Sequence, residues 1–373
     1  MCAPCRCAWR PRHVTAGPAL PDAAQPVPVR PDLAGVTPYG APQWDVAVRL
    51  NTNETPWPPP QAFLTRLAER VQGLHLHRYP DRRAWQLRTA LAKRFGLPPE
   101  RVWAANGSNE ILLQLFQAYG GPDRRLLLVR PGYSAHPLLA RVAATPVVTA
   151  ELDDDFLLSA SAAAAFVADH DPALVCVANP NNPTGMTLPL PAVRALHDHS
   201  RALVIVDEAY VEFGGESAVA LLDELPRLVV CRTFSKAWRL AGLRLGYLLC
   251  HDWVVDDLRK VRLPYHLDAL TQMAGLVAVE LADEVTGHVA ALSRERDRLH
   301  DALAALDGVT VWPSSANFLL FRTAVPDLFD RLLSRGVLVR DFSTQPRLQG
   351  CLRVTVGRPD EDDAFLAAMK ESL

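Results

Sequence analysis

Lysine is the scarcest charged residue of this 373-residue chain, present only at Lys93, Lys236, Lys260 and Lys370 among 39 lysines and arginines. The arginine excess reads as compositional bias, and a net charge of −2 supplies no positive field for nucleic acid. Long apolar runs are missing too. None reaches the roughly 18 residues that a membrane-spanning helix needs, so no membrane partner is expected. The seven cysteines form no disulfide framework. Cys176, Cys231 and Cys250 sit in apolar, strand-like runs, where a free thiol behaves as a small hydrophobe. Cys2, Cys5 and Cys7 cluster at the N terminus, but three ligands without a matching partner set do not make a zinc site, and no metal is expected. An apolar signal-peptide core is absent, which makes the cytoplasm the expected compartment.

What is present is a chain of ordinary globular composition, 49% hydrophobic and 21% charged, long enough for two domains. Residues 1–31 are rich in Pro, Ala and Arg without periodicity and are expected to form a disordered tail. An N-terminal arm is expected over 32–55, a large domain over 56–285 and a small domain over 286–373. From residue 85, helical patterns alternate with short continuous apolar runs: Leu126 to Val129, Ala173 to Ala178, Leu203 to Val206, Leu228 to Cys231 and Leu245 to Cys250. Such runs fit strands covered on both faces, so the fold class is α/β, a mainly parallel, doubly wound sheet. An amphipathic segment from about Val285 to Leu306 leads into a smaller α+β unit. Its strands are expected at Asn317 to Arg322, Gly336 to Arg340 and Cys351 to Val356, followed by a helix from Asp360 to Glu371.

The residues with chemical potential follow those strands, where open α/β sheets place their ligands. Lys236 stands in Arg232-Thr233-Phe234-Ser235-Lys236-Ala237-Trp238, with Arg244 eight residues on. Thr233, Ser235 and Arg244 offer two hydroxyls and a guanidinium fork, a match for a phosphate dianion. Asp207 ends the run Leu203 to Val206, and a carboxylate there is costly unless paired. A lysine amine that condenses with an aldehyde, a phosphate cradle and a carboxylate for a ring nitrogen are together what a pyridoxal-phosphate site requires. Asn182, in Asn179-Pro-Asn-Asn-Pro-Thr-Gly185, and Tyr210 can both reach the phenolate oxygen of such a cofactor. Asn106-Gly107-Ser108-Asn109-Glu110 reads as a glycine turn that opens a helix over Ile111 to Ala118, a ready anion site. Tyr133, in Pro131-Gly132-Tyr133-Ser134, can stack on the ring. Taken singly, each has a plain structural reading: an N-cap, a Pro/Asn/Gly turn, a capping aspartate, a loop aromatic. Their order and common strand-end placement carry the argument.

From about Thr37 to the C terminus the chain resembles the fold-type I pyridoxal-phosphate-dependent aminotransferases. It is most similar to the histidinol-phosphate branch of that family. The resemblance rests on Leu50-Asn-Thr-Asn-Glu54, His77-Arg-Tyr-Pro-Asp81, Asn106 to Glu110, Asn179 to Gly185, Val206-Asp-Glu-Ala-Tyr210, Arg232 to Lys236, and Leu352-Arg-Val-Thr-Val-Gly357. It implies that Lys236 binds the cofactor and moves the proton at the substrate Cα, while Asp207 pairs with the pyridinium. Asn182 and Tyr210 would hold the phenolate oxygen, Ser108, Asn109, Thr233, Ser235 and Arg244 the phosphate, and Tyr133 the ring face. Tyr79 would reach the phosphate from a neighbouring subunit, which implies a homodimer with shared sites.

The resemblance also implies a substrate-facing set of Tyr39, Asn53, Arg340 and Arg353. Two guanidinium forks, Arg340 and Arg353, suit a substrate phosphate better than one. Arg353 alone is equally a general carboxylate anchor, and Arg340 alone is equally a charge at a strand end. The implied reaction is transamination between L-histidinol phosphate and 2-oxoglutarate, giving imidazole-acetol phosphate and L-glutamate, run in reverse in histidine biosynthesis. An aromatic or broad-specificity aminotransferase and an O-phospho-amino-acid decarboxylase are the alternatives on the same scaffold. A pyridoxal-phosphate-binding regulator would need a DNA-binding module that the N-terminal stretch is too short to supply. Pro131-Gly132 and Trp57 depart from the commonest pattern of the family, in loops near the site.

Overall fold

The computed structural model describes residues 27–38, 40 and 42–373. Cys2, Cys5 and Cys7, residues 1–26 of the expected tail, and Tyr39 lie outside the described residues. The chain divides into two compact units, up to Thr37 and from Pro38 onward. In the first, the described part holds one 3₁₀ turn, Pro31–Leu33, with an Arg30–Asp32 ion pair of 2.8 Å beside it.

The second unit opens with β1 (Val48–Arg49), then α1 (Gln61–Val71) and α2 (Trp85–Phe95). Strands and helices then alternate: β2 (Val102–Ala105), α3 (Ser108–Tyr119), β3 (Leu126–Arg130), α4 (Ala135–Val142), β4 (Val147–Glu151), α5 (Ala160–His170), β5 (Leu174–Ala178), α6 (Leu190–Asp198) and β6 (Leu203–Asp207). After β7 (Leu228–Thr233) and β8 (Gly246–Leu249) come the helices α7 (Asp252–Val261), α8 (Ala269–Glu280), α9 (Ala282–Thr286) and α10 (Val289–Ala304). The chain ends with β9 (Val309–Val311), β10 (Phe318–Thr323), α11 (Leu328–Ser334), β11 (Val337–Leu338), β12 (Arg340–Asp341), β13 (Cys351–Thr355) and α12 (Pro359–Ser372).

Seven strands form one sheet in the order β2-β8-β7-β6-β5-β3-β4, in which β3 to β7 are mutually parallel and β8 runs antiparallel to both its neighbours. The continuous apolar runs have a simple cause: alternate residues enter different cores. Val175, Val177, Val204, Val206 and Val230 face one core, while Cys176, Ile205, Val229 and Cys231 face the other. In register, Ala178 lies beside Asp207 and Asp207 beside Cys231, so the strand ends of β5, β6 and β7 form one edge. A four-stranded antiparallel sheet, β12-β13-β10-β9, shares a third core with α10 and α12, built from Leu299, Leu319, Phe321, Val354 and Phe365.

Two expectations change. The helical segment read over 285–306 breaks at Gly287 and His288, between α9 and α10, where glycine costs a helix interior about 1 kcal/mol. The strand read over 336–340 is two short strands. Val337 and Leu338 pair with β1, Arg340 and Asp341 pair with β13, and the chain changes sheets at Val339. β2, β4 and β9 were not expected; β4 is a partly exposed edge strand without a continuous apolar run.

Just beneath the strand ends, Arg232 ties the layers together. Its guanidinium pairs with Glu208 at 2.8 Å and Glu212 at 3.5 Å and donates to Ser217 Oγ at 2.8 Å, while Glu208 accepts from the Ala218 amide at 2.6 Å. Arg232 and Glu208 are buried and Glu212 is half-buried, so removing the cation strands two carboxylates. Arg232→Met should lower stability by about 3–5 kcal/mol in urea unfolding, and adding Glu208→Leu should recover part of the loss.

Candidate active site

A cavity of about 450 Å³ opens at the carboxyl edge of the seven-stranded sheet. Its lining includes Asn53, Ser108, Asn109, Tyr133, Asn182, Asp207, Tyr210, Thr233, Ser235, Lys236, Arg244, Arg340 and Arg353. Every expected site residue is therefore brought together except Tyr79 and the undescribed Tyr39. Tyr79 is 80% exposed and stacks on Tyr265 with ring centres 4.3 Å apart, facing a different depression.

The turn after β7 builds the lysine's platform. Phe234 is fully buried against Trp238 and Tyr247, which pins the turn from below. The Ser235 amide donates to Thr233 Oγ1 at 3.1 Å, a local hydroxyl turn, and the Thr233 hydroxyl donates to Ser235 Oγ at 3.0 Å. Arg244 Nη1 donates to the same Ser235 oxygen at 3.2 Å. Lys236 Nζ donates to the Thr52 carbonyl at 2.9 Å, and Thr55 Oγ1 donates to the Lys236 carbonyl at 2.7 Å. Burial, then the Arg353 and Arg244 guanidinium groups, lower the Lys236 pKa to about 7, with Glu54 and Asp207 opposing in part.

The start of α3 lies opposite. No side chain caps it, because the N-cap is Gly107, and the Glu110 carboxylate accepts from the Asn106 amide at 2.6 Å. Gly107 has φ +86° and leaves no room for a Cβ, which would meet Arg244 Nη2 at 2.8 Å. Gly246 is equally constrained: a Cβ there would lie 2.4 Å from the Ser108 amide nitrogen. Two glycines thus let β8, the helix start and Arg244 close into a cradle of amides, hydroxyls and a guanidinium.

Asp207 is 4% exposed. Its Oδ2 meets His136 Nε2 at 3.2 Å, and its Oδ1 is buried with no hydrogen-bond partner among the described residues. Burial disfavours the charged imidazole, but the Cys176 sulfur and the Asp207 carboxylate outweigh it and raise the His136 pKa. His136 also packs edge-on against Tyr133. Across the cavity, Tyr210 Oη accepts from Asn53 Nδ2 at 2.9 Å and Asn182 Nδ2 at 3.4 Å. Arg353 Nη1 donates to Asn182 Oδ1 at 2.6 Å and Nη2 to the Asn51 carbonyl at 2.8 Å, with the guanidinium between the rings of Phe318 and Phe342. Arg340 donates to the Gly40 carbonyl at 3.2 Å.

These residues fit pyridoxal phosphate. The orphaned Asp207 oxygen suits a protonated ring nitrogen, the glycine-lined cradle suits a phosphate, and an amine whose pKa is lowered to about 7 suits an aldehyde. His136, Asn51, Thr52 and Phe342 were missed in the sequence. Asn51 and Thr52 lie within the Leu50 to Glu54 signature and Phe342 two residues past Arg340, but His136 offers no signal beyond its place one helical turn after Tyr133.

The chain belongs to the aminotransferase class I and II family, whose profile matches residues 46–369. It is 47% identical over 369 residues to the histidinol-phosphate aminotransferase of Mycobacterium avium (strain 104), covering 96% of this chain and 90% of the relative. The crystal structure of histidinol-phosphate aminotransferase from Sinorhizobium meliloti, in complex with pyridoxal-5'-phosphate, superposes with a TM-score of 0.82 at 24% identity, covering 92% of this chain and 97% of that one, and so shares the fold. L-threonine-O-3-phosphate decarboxylase from Porphyromonas gingivalis follows at 25% identity and TM-score 0.75, covering 87% and 98%.

The lowered pKa has a sign for stability. Unfolded, Lys236 takes up its proton near its ordinary value of 10.5; folded, only near 7. Between those values the unfolded state binds more protons, so this group's contribution rises with pH from about 7 to 10.5 and is lost as pH falls. In cofactor-free protein, the Tm of wild type relative to Lys236→Met should climb across that window. A flat difference would contradict the neutral amine.

Proposed function

We propose that the protein catalyses amino transfer between L-histidinol phosphate and 2-oxoglutarate, giving imidazole-acetol phosphate and L-glutamate, and works in the reverse sense in histidine biosynthesis. The cofactor is pyridoxal 5'-phosphate. One observation carries the substrate assignment: Arg340 and Arg353 are direct cross-strand partners on β12 and β13, and both line the cavity. Like charges directly opposite destabilise a sheet, so a dianion that bridges them gains what the pair alone loses. The 47% identity to a histidinol-phosphate aminotransferase over nearly the whole chain supports the same reading.

When bound, pyridoxal phosphate supplies an aldehyde that condenses with amines and a ring that accepts the electron pair released at the substrate Cα. The remaining work falls to the chain. Lys236 moves the proton at Cα, which a pKa of about 7 permits in both directions near neutral pH. Asp207 would hold the ring nitrogen protonated, with His136 orienting the carboxylate. Asn182 and Tyr210 would hold the phenolate oxygen, Ser108, Asn109, Thr233, Ser235 and Arg244 the phosphate, and Tyr133 the ring face. Asn53 stands at the substrate side beside Tyr210.

Tyr79 fits a contribution from the partner copy of a homodimer, since its ring is exposed and away from its own chain's cavity. The buried free thiols Cys176, Cys231, Cys250 and Cys351 suit the reducing cytoplasm. A division near residue 285 into large and small domains is supported by the separate core around Leu299, Phe321 and Phe365.

Purified protein loaded with the cofactor should be yellow, and Lys236→Ala should abolish the absorbance change on adding glutamate. Arg340→Ala should raise KM for histidinol phosphate by roughly tenfold or more, the worth of one charge-assisted pair of about 1.5–3 kcal/mol, and barely change that for phenylalanine. The deciding measurement is kcat/KM for histidinol phosphate, phenylalanine and O-phosphothreonine side by side, with carbon dioxide release monitored. A preference for phenylalanine would return the aromatic alternative, and carbon dioxide release the decarboxylase.

A further inference from the structure

Three residues beyond Lys236, Arg239 has φ +58°, in the left-handed region that residues with a Cβ rarely adopt. Backbone of this kind persists where its surroundings over-determine it. The Arg239 amide donates to the Lys236 carbonyl at 3.1 Å and closes the turn that presents the lysine. Its side chain leaves the turn in another direction. Nε donates to His288 Nδ1 at 2.6 Å, and Nη1 donates to the Pro58 carbonyl at 3.2 Å.

His288 stands at the break between α9 and α10 and is buried. Burial and the adjacent Arg239 charge lower its pKa to about 4, so at neutral pH the ring is uncharged and its Nδ1 lone pair can accept. Trp57, a departure from the family pattern, packs its edge on the His288 ring at 6.0 Å. The strip from Thr52 to Pro58 therefore meets this region four times: Thr52 at Lys236 Nζ, Thr55 at the Lys236 carbonyl, Trp57 at His288 and Pro58 at Arg239.

We infer that Arg239 is a positioning residue for the amino-transfer reaction: anchored to His288 and to the Pro58 carbonyl, it fixes the turn that aims Lys236 into the cavity. The inference rests on the amino-transfer reading above. Arg239 itself does not line the cavity, so it acts through the lysine's placement.

Arg239→Gly tests this without threatening the fold, because glycine accepts the left-handed φ and removes only the side chain. His288→Leu removes the acceptor, and His288→Gln restores one. In the cofactor-loaded protein, single-turnover reaction with glutamate should slow by about tenfold to a hundredfold in Arg239→Gly and in His288→Leu, with KM for glutamate within about twofold. His288→Gln should recover most of the rate, and the double variant should be no slower than either single one. In cofactor-free protein, the amides of Phe234 to Leu240 should exchange faster with deuterium in Arg239→Gly while Tm holds or rises. Wild-type rates or unchanged exchange in Arg239→Gly would overturn the inference, as would multiplicative slowing in the double variant. If wild type itself failed to transfer the amino group, the functional reading would fall, while the exchange experiment would still decide whether Arg239 fixes the turn.

Discussion

A carboxylate shut away from water at the end of a fully buried strand is the constraint on which this structure turns. Asp207 closes β6 between Ala178 and Cys231, with both sheet faces already covered by apolar cores. Burying an ionised carboxyl there is costly unless its lone pairs are used. One oxygen is used by His136, and the other has no hydrogen-bond partner among the described residues, at the edge of the cavity that the proposed cofactor would occupy. The site follows from that need. The helix carrying His136 has to start directly after β3, and the strands on either side have to end level with Asp207 so that their turns can surround whatever Asp207 holds.

The second requirement is that the Lys236 amine give and take a proton near neutral pH. Burial lowers the Lys236 pKa most, and Arg353 and Arg244 add to it. The same two cations make separate contacts in the cavity lining. Arg244 belongs with the hydroxyl and amide cradle, and Arg353 is caged between Phe318 and Phe342. On the proposed reading, an anion held by either guanidinium would offset its effect and push the Lys236 pKa back up.

How much of this was legible in the sequence depended on whether a residue's neighbours were local. Strand-end motifs such as Asp207 to Tyr210 and Thr233 to Lys236 were readable because a buried parallel strand leaves a continuous apolar run and then a turn whose chemistry stands out. His136 was not, because its meaning comes from Asp207, which lies 71 residues further along the chain. Arg239 and His288 escaped for the same reason, and nothing local marked the helix break at Gly287 and His288 as a contact point with the lysine turn. The strand expected over 336–340 failed differently. Its apolar pattern was real, but the two halves serve two sheets, and pairing partners are not written in a run's composition.

That same change of sheet is what gives Arg340 its position. Were 336–340 one strand, its side chains would alternate along a single ladder, and Arg340 would follow the register set by Val337 and Leu338. Because the chain crosses over at Val339, Arg340 takes its register from β13 instead and lies directly opposite Arg353. On the proposed reading, a monoanionic carboxylate would engage one guanidinium fork of this cross-strand pair, whereas a phosphate dianion suits two. On that reading a phosphate ester would engage both, and selectivity for a phosphorylated amine would then depend on the pairing of β12 with β13, its partner among the described residues, as much as on side-chain identity.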